Sequence, residues 1–448
     1  MLQRLFKLSE HGTTVRAELR GGLVTFLTMS YIIFVQPGVL AAAGMDFGAV
    51  MVATCLASAL ATFIMAFGAN YPVALAPCMG ENFFFVTVVL GVVTGSAVSW
   101  RIALAAVFVS GVLFLLLSLF RLREAIIAAL PLSLKYAIPA GIGMFIALIG
   151  MQQGGLVVAA KGSMVKLGDL TSGPVLLTLF GLLLTSVLLV LKVRGAILWG
   201  LLAATLAGLP FGLTTYHGLV DLPPDITPVL FGMDLPGLLD VAMIPVIVIF
   251  LFMVLFDTIG TLVGVGQQAG LLKNGKLERA GRALLSDAVG TTAGALLGTS
   301  TVSSYIESAA GVAAGARTGL AAAVCGLLFL LALFFFPLVQ MVGGGVEVAE
   351  GVFLHPVTAP VMILVGSMMM RAVREIPFDD PSEAIPAFLV VIGMPLTYSI
   401  ADGLALGFIA YPILKLFSGR AREVPLLVYI MAVLLGGVFA LKAFMGAS

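Results

Sequence analysis

Residues 297–314 read LGTSTVSSYIESAAGVAA, and their reading decides the fold. Glu307 sits in a long apolar context, directly after a run of Gly, Ser and Thr. An ionised carboxylate at mid-bilayer depth costs about 3 kcal/mol even on a lenient insertion scale, so it must face protein, water or a ligand. The hydroxyl-rich run before it suits partly unwound backbone, which a membrane tolerates only where it lines a cavity or is buried in protein. The stretch therefore reads as half of a substrate site. The remainder of the chain has to supply the other half.

Composition sets the class within which that site works. The chain has 448 residues, of which 61% are hydrophobic and 10% charged, with a mean hydropathy of +1.17. A soluble domain would need a more polar surface, so the expectation is a polytopic, all-α helical membrane protein. The net charge of +1 excludes a strongly basic nucleic-acid binder. Cys55, Cys78 and Cys325 are isolated in apolar segments and form neither a metal-spaced pair nor a disulfide framework. The N-terminus does not read as a cleavable signal, and the first span is expected to double as the insertion signal.

Working outward gives fourteen hydrophobic spans. Span 1, at about 22–43, carries an interruption at Gln36-Pro37-Gly38, and span 2 covers about 48–68. Span 3, ANYPVALAPCMGENFFF at 69–85, is broken by Pro72, Pro77 and Gly80. It is expected to be extended to about Cys78 and to continue as a half-helix from Gly80 to Val92. Span 4 lies at about 101–120, and 121–135 reads as an interfacial amphipathic segment. Spans 5, 6 and 7 fall near 136–153, 174–191 and 195–210, before a polar connection at 211–240 that holds four Asp and no Lys or Arg. Span 8, about 241–264, contains FDTIGT with Asp257 inside it. A basic loop leads to span 9, about 284–299, where Asp287 reads as a helix cap. Span 10 is the opening stretch and span 11 covers about 318–340. Spans 12, 13 and 14 lie near 356–371, 384–400 and 402–417; hydropathy does not decide whether 425–444 spans as well.

Charge supports this count. With the N-terminus inside, about nineteen of the 23 Lys and Arg residues fall on the cytoplasmic side, Arg317 among them as an anchor. The chain also repeats itself. PVLLTLFGLLLTS (174–186) resembles PAFLVVIGMPLTYS (386–399), seven spans apart, and the broken spans 3 and 10 are also seven apart with GEN (80–82) matching IES (306–308). Interrupted spans at corresponding places in two halves point to a transporter's site, and an odd repeat inserts the halves with opposite orientation.

Glu307 and Asp257 are the leading candidates to bind a polar substrate and exchange a proton with it, since intramembrane acids commonly act as relays. The alternative is that they pair with donors at a half-helix N-terminus. Glu81 holds the equivalent place in the first half, where a cap is the stronger competitor. Asn82, Thr261, Ser300, Thr301, Ser303 and Ser304 can hydrogen-bond beside the acids or serve as glue between spans. Phe83 could stack on a flat ligand, though Phe83, Phe84 and Phe85 together suit packing. His11, His217 and His355 offer no ligand spacing and read as incidental, and no metal site or cofactor is expected. GVGQQAG (264–270) has no strand before it and fails as a dinucleotide turn.

GTTVRAELRGGLVTFLTMSYIIFVQP, GANYPVALAPCMGENFFF, LFDTIGTLVGV and GALLGTSTVSSYIESAAGVAAGARTGL resemble the AzgA-like purine permeases of the nucleobase:cation symporter family 2 over nearly the whole chain. The resemblance implies the uracil-permease fold, fourteen spans as two inverted sevens. Its core domain would comprise 1–120 and 241–340, and its gate domain 121–240 and 341–448 with the C-terminal apolar helix. It also implies proton-coupled uptake of a base such as adenine, guanine, hypoxanthine or xanthine, with Asp257 and Glu307 as the matching acids, and often a homodimer through the gate domains. The expected location is the cell membrane. Against the family pattern, Cys78 replaces Gly, Glu81 replaces an apolar residue, Gln36 replaces Asn, and Val254 stands where a further acid is common. The competing functions are a carrier of another nitrogenous solute or an anion on the same fold, and a passive channel. A membrane enzyme has no motif to support it.

Overall fold

The computed structural model describes residues 2–119, 131–160, 162–240, 243–273, 276–349 and 352–446. After a helical turn at Leu2–Leu5, the helices of the first part are α1 Val15–Met29, α2 Tyr31–Ala41, α3 Phe47–Ile64, α4 Met79–Val89, α5 Trp100–Leu119, α6 Leu132–Gln153, α7 Gly173–Val190 and α8 Ala196–Gly208. The second part adds α9 Met243–Gln268, α10 Ala280–Leu297, α11 Ser308–Ala313, α12 Gly319–Ala332, α13 Phe336–Gly343, α14 Ala359–Met369, α15 Pro381–Thr397, α16 Ile400–Phe417 and α17 Leu426–Gly446. Eight of the described helical segments are long and apolar enough to cross a membrane. The protein is a mostly helical, multi-pass membrane protein.

Helix starts follow capping chemistry. Thr14 and Asp46 accept hydrogen bonds from Ala17 N and Ala49 N, opening α1 and α3. Asp380 and Ser399 do the same for α15 and α16. Glycines allow close helix contacts, as polar-poor membrane interfaces require. A Cβ on Gly22 of α1 would lie 2.4 Å from the Ala321 carbonyl of α12, and one on Gly143 of α6 would lie 2.7 Å from the Gly366 carbonyl of α14. Accordingly α12 packs on α1 and α3, while α6 packs on α14 and α15.

Two corrections concern the spans. The chain does not break at Gln36-Pro37-Gly38: α2 runs through Pro37, and the discontinuity between α1 and α2 falls at Ser30. Pro37 removes only one backbone donor, and its buried neighbours keep the helix in place. Asp287 does not cap a helix. It lies well inside α10, which begins at Ala280 behind a left-handed Arg279, and its side chain is fully buried. Most of the expected interfacial segment at 121–135 lies outside the described residues, but Leu132 to Lys135 already belong to α6.

The fold is also less purely α-helical than composition suggests. Among the described residues there are four two-stranded ladders: β1 Leu75–Pro77 with β6 Val302–Ser304, β2 Val157–Ala160 with β3 Met164–Leu167, β4 Leu272–Lys273 with β5 Lys276–Leu277, and β7 Val346–Ala349 with β8 Val352–Leu354. The last three join strands close in sequence. The first does not. It pairs the two broken spans antiparallel, with Leu75 opposite Ser304 and Pro77 opposite Val302.

Candidate functional site

The β1–β6 ladder is where the broken spans meet, and each strand runs directly into a helix start. Asn70, in the left-handed region at φ 54°, ends the π-helical turn after α3, and Pro72 and Pro77 keep the following backbone extended until α4 begins at Met79. In the second half Gly298, at φ 94°, ends α10. Thr299 to Ser304 then cross to the Glu307 end of α11. The ladder continues past its strands: Cys78 N donates to Thr301 O at 3.0 Å and Tyr305 N to Ala74 O at 3.0 Å. Side chains close the remaining backbone groups, with Thr62 Oγ1 bonded to both N and O of Leu75 and Thr291 Oγ1 donating to Val302 O. The unwound segments thus leave few polar groups open to lipid.

The acids gather around this junction. Asp257 of α9 accepts from Ser303 Oγ at 2.6 Å and from the Cys78 thiol at 3.3 Å. Ligand atoms of Cys78, Glu81 and Asp257 all lie within 4.8 Å of one another, with Glu81 buried. Glu307, half-buried, accepts from Tyr31 Oη at 2.7 Å. It occupies the N-cap position of α11 but makes no cap hydrogen bond with its side chain, which weakens the capping alternative for this residue. Among the described residues no Lys or Arg forms an ion pair with Asp257, Glu307 or Glu81.

The other expected site residues divide. Asn82 and Ser300 are fully buried in a closed network. Asn82 exchanges amide hydrogen bonds with Gln36, Ser300 donates to Asn82 Oδ1, and Gln36 Nε2 also reaches Thr299 Oγ1 at 3.2 Å and Ser300 Oγ at 3.3 Å. These groups tie α2 and α4 to the segment between α10 and β6. Ser304 donates to both oxygens of Asp287 at 3.0 Å. Thr301 is buried with its hydroxyl unpartnered, and Thr261 lies one turn beyond Asp257 on α9. Phe83 is packed edge-on against Phe145 of α6, with ring centres 6.5 Å apart, and Phe145 meets Tyr398 in the same way at 5.4 Å.

Sequence reasoning passed over Tyr31, Tyr305 and Glu18, which the structure brings in, and read Arg317 only as an anchor. Tyr31 holds Glu307, and Tyr305 donates to Pro77 O at 2.5 Å, joining the second half to the first. Glu18 is fully buried and accepts from the backbone N–H groups of Arg317, Thr318 and Ala321 at the start of α12. Arg20 and Arg317 both donate to carbonyls at the end of α11, Arg20 to Ala314 O and Arg317 to Val312 O and Ala316 O. A tyrosine or a first-turn glutamate on a span gives no periodic signal of its own partner. Only the density of polar residues at 13–31 could have drawn attention there.

Comparison with known proteins places the chain in a family. A profile of the Xan_ur_permease family, described as a permease family, matches residues 16–406. The guanine/hypoxanthine permease PbuG of Bacillus subtilis is 46% identical over 441 residues, covering 96% of this chain and 97% of its own. The adenine permease AdeQ of Escherichia coli is 44% identical, covering 98% and 96%. Among solved structures, the transmembrane domain of the cyanobacterial bicarbonate transporter BicA superposes with a TM-score of 0.63 at 14% identity, covering 88% of this chain and 97% of that one, a likeness of fold. The chain belongs to this permease family and is a transporter.

Proposed function

We propose that this permease imports a nucleobase, most favourably a purine, together with a proton. The observation that carries the reading is that Asp257, Glu81 and Glu307 gather at the junction of the broken spans, held by hydroxyl and thiol donors and, among the described residues, by no cation. Acids so placed keep the freedom to take up and release a proton, whereas a fixed Lys or Arg would hold them ionised. Relatives named for guanine/hypoxanthine and adenine transport, alike over nearly the full length, support the purine.

In this mechanism Glu307 accepts hydrogen bonds from ring N–H groups of the base, with Tyr31 fixing its carboxylate. Asp257 is the coupling site, and its neighbour Glu81 adds a second acid whose charge depends on whether Asp257 carries a proton. Thr301 and Thr261 offer further polar contacts, and Phe83 a flat apolar wall. Three acids near the site disfavour an unprotonated anion as cargo. Fourteen spans as two inverted sevens suit the antiparallel β1–β6 pairing, because strands from oppositely inserted halves meet in that sense. The core would then be 1–120 with 241–340, moving against a gate of 121–240 with 341–448. The gate would provide a homodimer contact, and the protein would sit in the cell membrane with its N-terminus inside.

Uptake of radiolabelled adenine and hypoxanthine into cells lacking their own purine permeases tests the reading. Glu307→Gln should abolish concentrative uptake while the protein still reaches the membrane, and a protonophore should abolish it in the wild type. Unchanged uptake in Glu307→Gln would remove Glu307 from the mechanism. Flux insensitive to the proton gradient would favour a passive channel.

A further inference from the structure

A cavity lies apart from Asp257, Glu81 and Glu307, none of which lines it. It has a volume of about 960 Å³ and opens where the end of α2, the start of α3, the end of α6, α13 and the strand β8 converge. Gly38 lines it, and Gly38 is 18 residues from Arg20 along α1 and α2, about 27 Å at 1.5 Å per residue. The cavity is therefore at the opposite end of these helices from the Arg20–Arg317 clamp. At its floor, Gly38, Gln153, Gly343 and His355 also line a much smaller space of about 10 Å³ that reaches Phe34 and Thr358. That space holds about one water. Gln153 and His355 are the two residues with polar side chains common to both spaces, and they form the neck between them.

The chemistry of the lining is specific. Three phenyl rings, Phe47, Phe336 and Phe353, share it with two side-chain amides, Gln153 and Gln340, and the imidazoles of His217 and His355. No Lys or Arg lines it, and its one acid, Asp46, is already occupied in capping α3. The neck is built rather than accidental: His355 N donates to Gln153 O at 2.8 Å. A Cβ on Gly345 would meet the His355 ring at 3.0 Å, so a glycine there leaves room for the imidazole. Burial pushes the His355 imidazole below its usual pKa, with a hydrogen bond to the Gly343 backbone pulling the other way. A neutral imidazole and an amide present both a donor and an acceptor, the pattern that the edge of a neutral heterocycle needs, and the rings supply flat apolar faces. An anion would find no cation here.

We propose that this cavity is a vestibule subsite where a neutral purine binds before reaching the acids, its edge held at the neck by Gln153 and His355. The inference rests on the purine reading above and deepens it. The base waits at the neck, and passage to the β1–β6 junction requires the Gln153–His355 constriction to widen. His217 and His355, incidental in the sequence, become part of the path.

Gly38 provides a direct probe, because nothing lies within 4 Å of a Cβ added there. Gly38→Cys is labelled in purified protein with a charged methanethiosulfonate reagent, with and without hypoxanthine or adenine, using the wild-type chain as the background rate. Either base should slow labelling at least threefold. It should still do so at higher concentration when Glu307→Gln is also present, because the vestibule does not use Glu307. Adding Gln153→Ala and His355→Ala should remove the protection in that background. Alone, this pair should raise the KM for uptake roughly threefold to tenfold with kcat little changed. Protection that vanishes with Glu307→Gln, or that survives the neck substitutions, overturns the subsite while leaving purine transport standing. If neither base is transported by the wild type and neither protects Gly38→Cys, the purine reading and the subsite fall together.

Discussion

The two broken spans share one plan and differ in how it is secured. In the first, β1 leads into α4, an eleven-residue helix whose acid, Glu81, lies inside the first turn and is buried beside Cys78 and Asp257. In the second, β6 leads into α11, six residues long, and Glu307 stands just before it, half-buried and bonded to Tyr31. The longer helix packs through its own apolar side chains, with Phe84 set edge-on to Phe250 at 4.7 Å. The shorter one has too few turns for that and is held at its far end by Arg20 and Arg317. One acid is built into a packed wall; the other stands at its edge, where a ligand can reach it.

The strongest test of that contrast exchanges the acids for amides. Glu307→Gln should reduce uptake more than 100-fold and Glu81→Gln about tenfold, measured as initial rates with surface expression controlled. Equal losses would erase the distinction between wall and edge. The next contrast is in packing. A Cβ at Gly311 of α11 would come 2.0 Å from Thr25 Oγ1 and 2.7 Å from the Gly21 carbonyl, whereas one at Gly80 of α4 would meet Ile142 Cγ2 at 2.8 Å. Overpacking costs about 1–3 kcal/mol. Gly311→Ala should take the upper part of that range and Gly80→Ala the lower, because the clash at Gly80 is with one side chain, whereas Gly311 meets both a side chain and a backbone carbonyl at shorter distances. Thermal unfolding in detergent reads the order, and a reversed order would contradict the tighter seat of the second half-helix. A smaller effect is expected from Tyr31→Phe, which leaves the Glu307 carboxylate short of one donor. Losing a hydrogen bond to a charged group, about 1.5–3 kcal/mol at full strength, sets the ceiling, and a rise in KM of about tenfold is expected. An unchanged KM would mean that Glu307 is positioned without it.

The smallest effect lies far from both half-sites, where acids are paired with cations. Lys415, fully buried, contacts Glu383 at 2.7 Å and Glu423 at 3.2 Å, while Arg420 bridges Asp380 and Glu423 ahead of α17. Hydrogen bonds from Ser382 and Arg420 hold Asp380 below the usual carboxylate pKa, and Arg420 does the same for Glu423. A carboxylate depressed on folding contributes stability that is complete above its unfolded pKa, about 4, and is lost as pH falls through the folded value. The melting temperature should therefore be insensitive to this network from pH 8 to 6 and decline slightly only below about pH 4, and the decline should be smaller in Arg420→Ala, where Ser382 alone still holds Asp380 down. A network-dependent change between pH 8 and 6 would contradict the assignment.

Much of the scaffold was legible because lipid imposes simple rules. Apolar length located the helices, and Pro72, Pro77 and Gly80 marked the break before α4. The Gly, Ser and Thr run marked the one before α11. The acids at Asp257, Glu81 and Glu307 stood out because charge is rare in such surroundings. What remained hidden depends on partners distant in sequence. Pro37 looked like a breaker and is carried inside a helix, because neighbouring packing outweighs one missing N–H. Asn82 and Ser300 could be site contacts or glue between spans, and that Gln36 would be their partner was not visible. Asp287 could not be told from a cap until Ser304 was found against it. Tyr31, Tyr305 and Glu18 are ordinary span residues until the opposite half is in place.

The β1–β6 ladder also sets a schedule for biogenesis. Tyr305 and Pro77, joined by a hydrogen bond, are 228 residues apart. At a synthesis rate of about 5–20 residues per second, the first broken span is made on the order of ten to fifty seconds before its partner. Through that interval the backbone of 74–78 lacks the groups it will later pair with, a costly state in hydrocarbon. The early half must therefore wait at the translocon, in water or beside a chaperone, until the second half emerges.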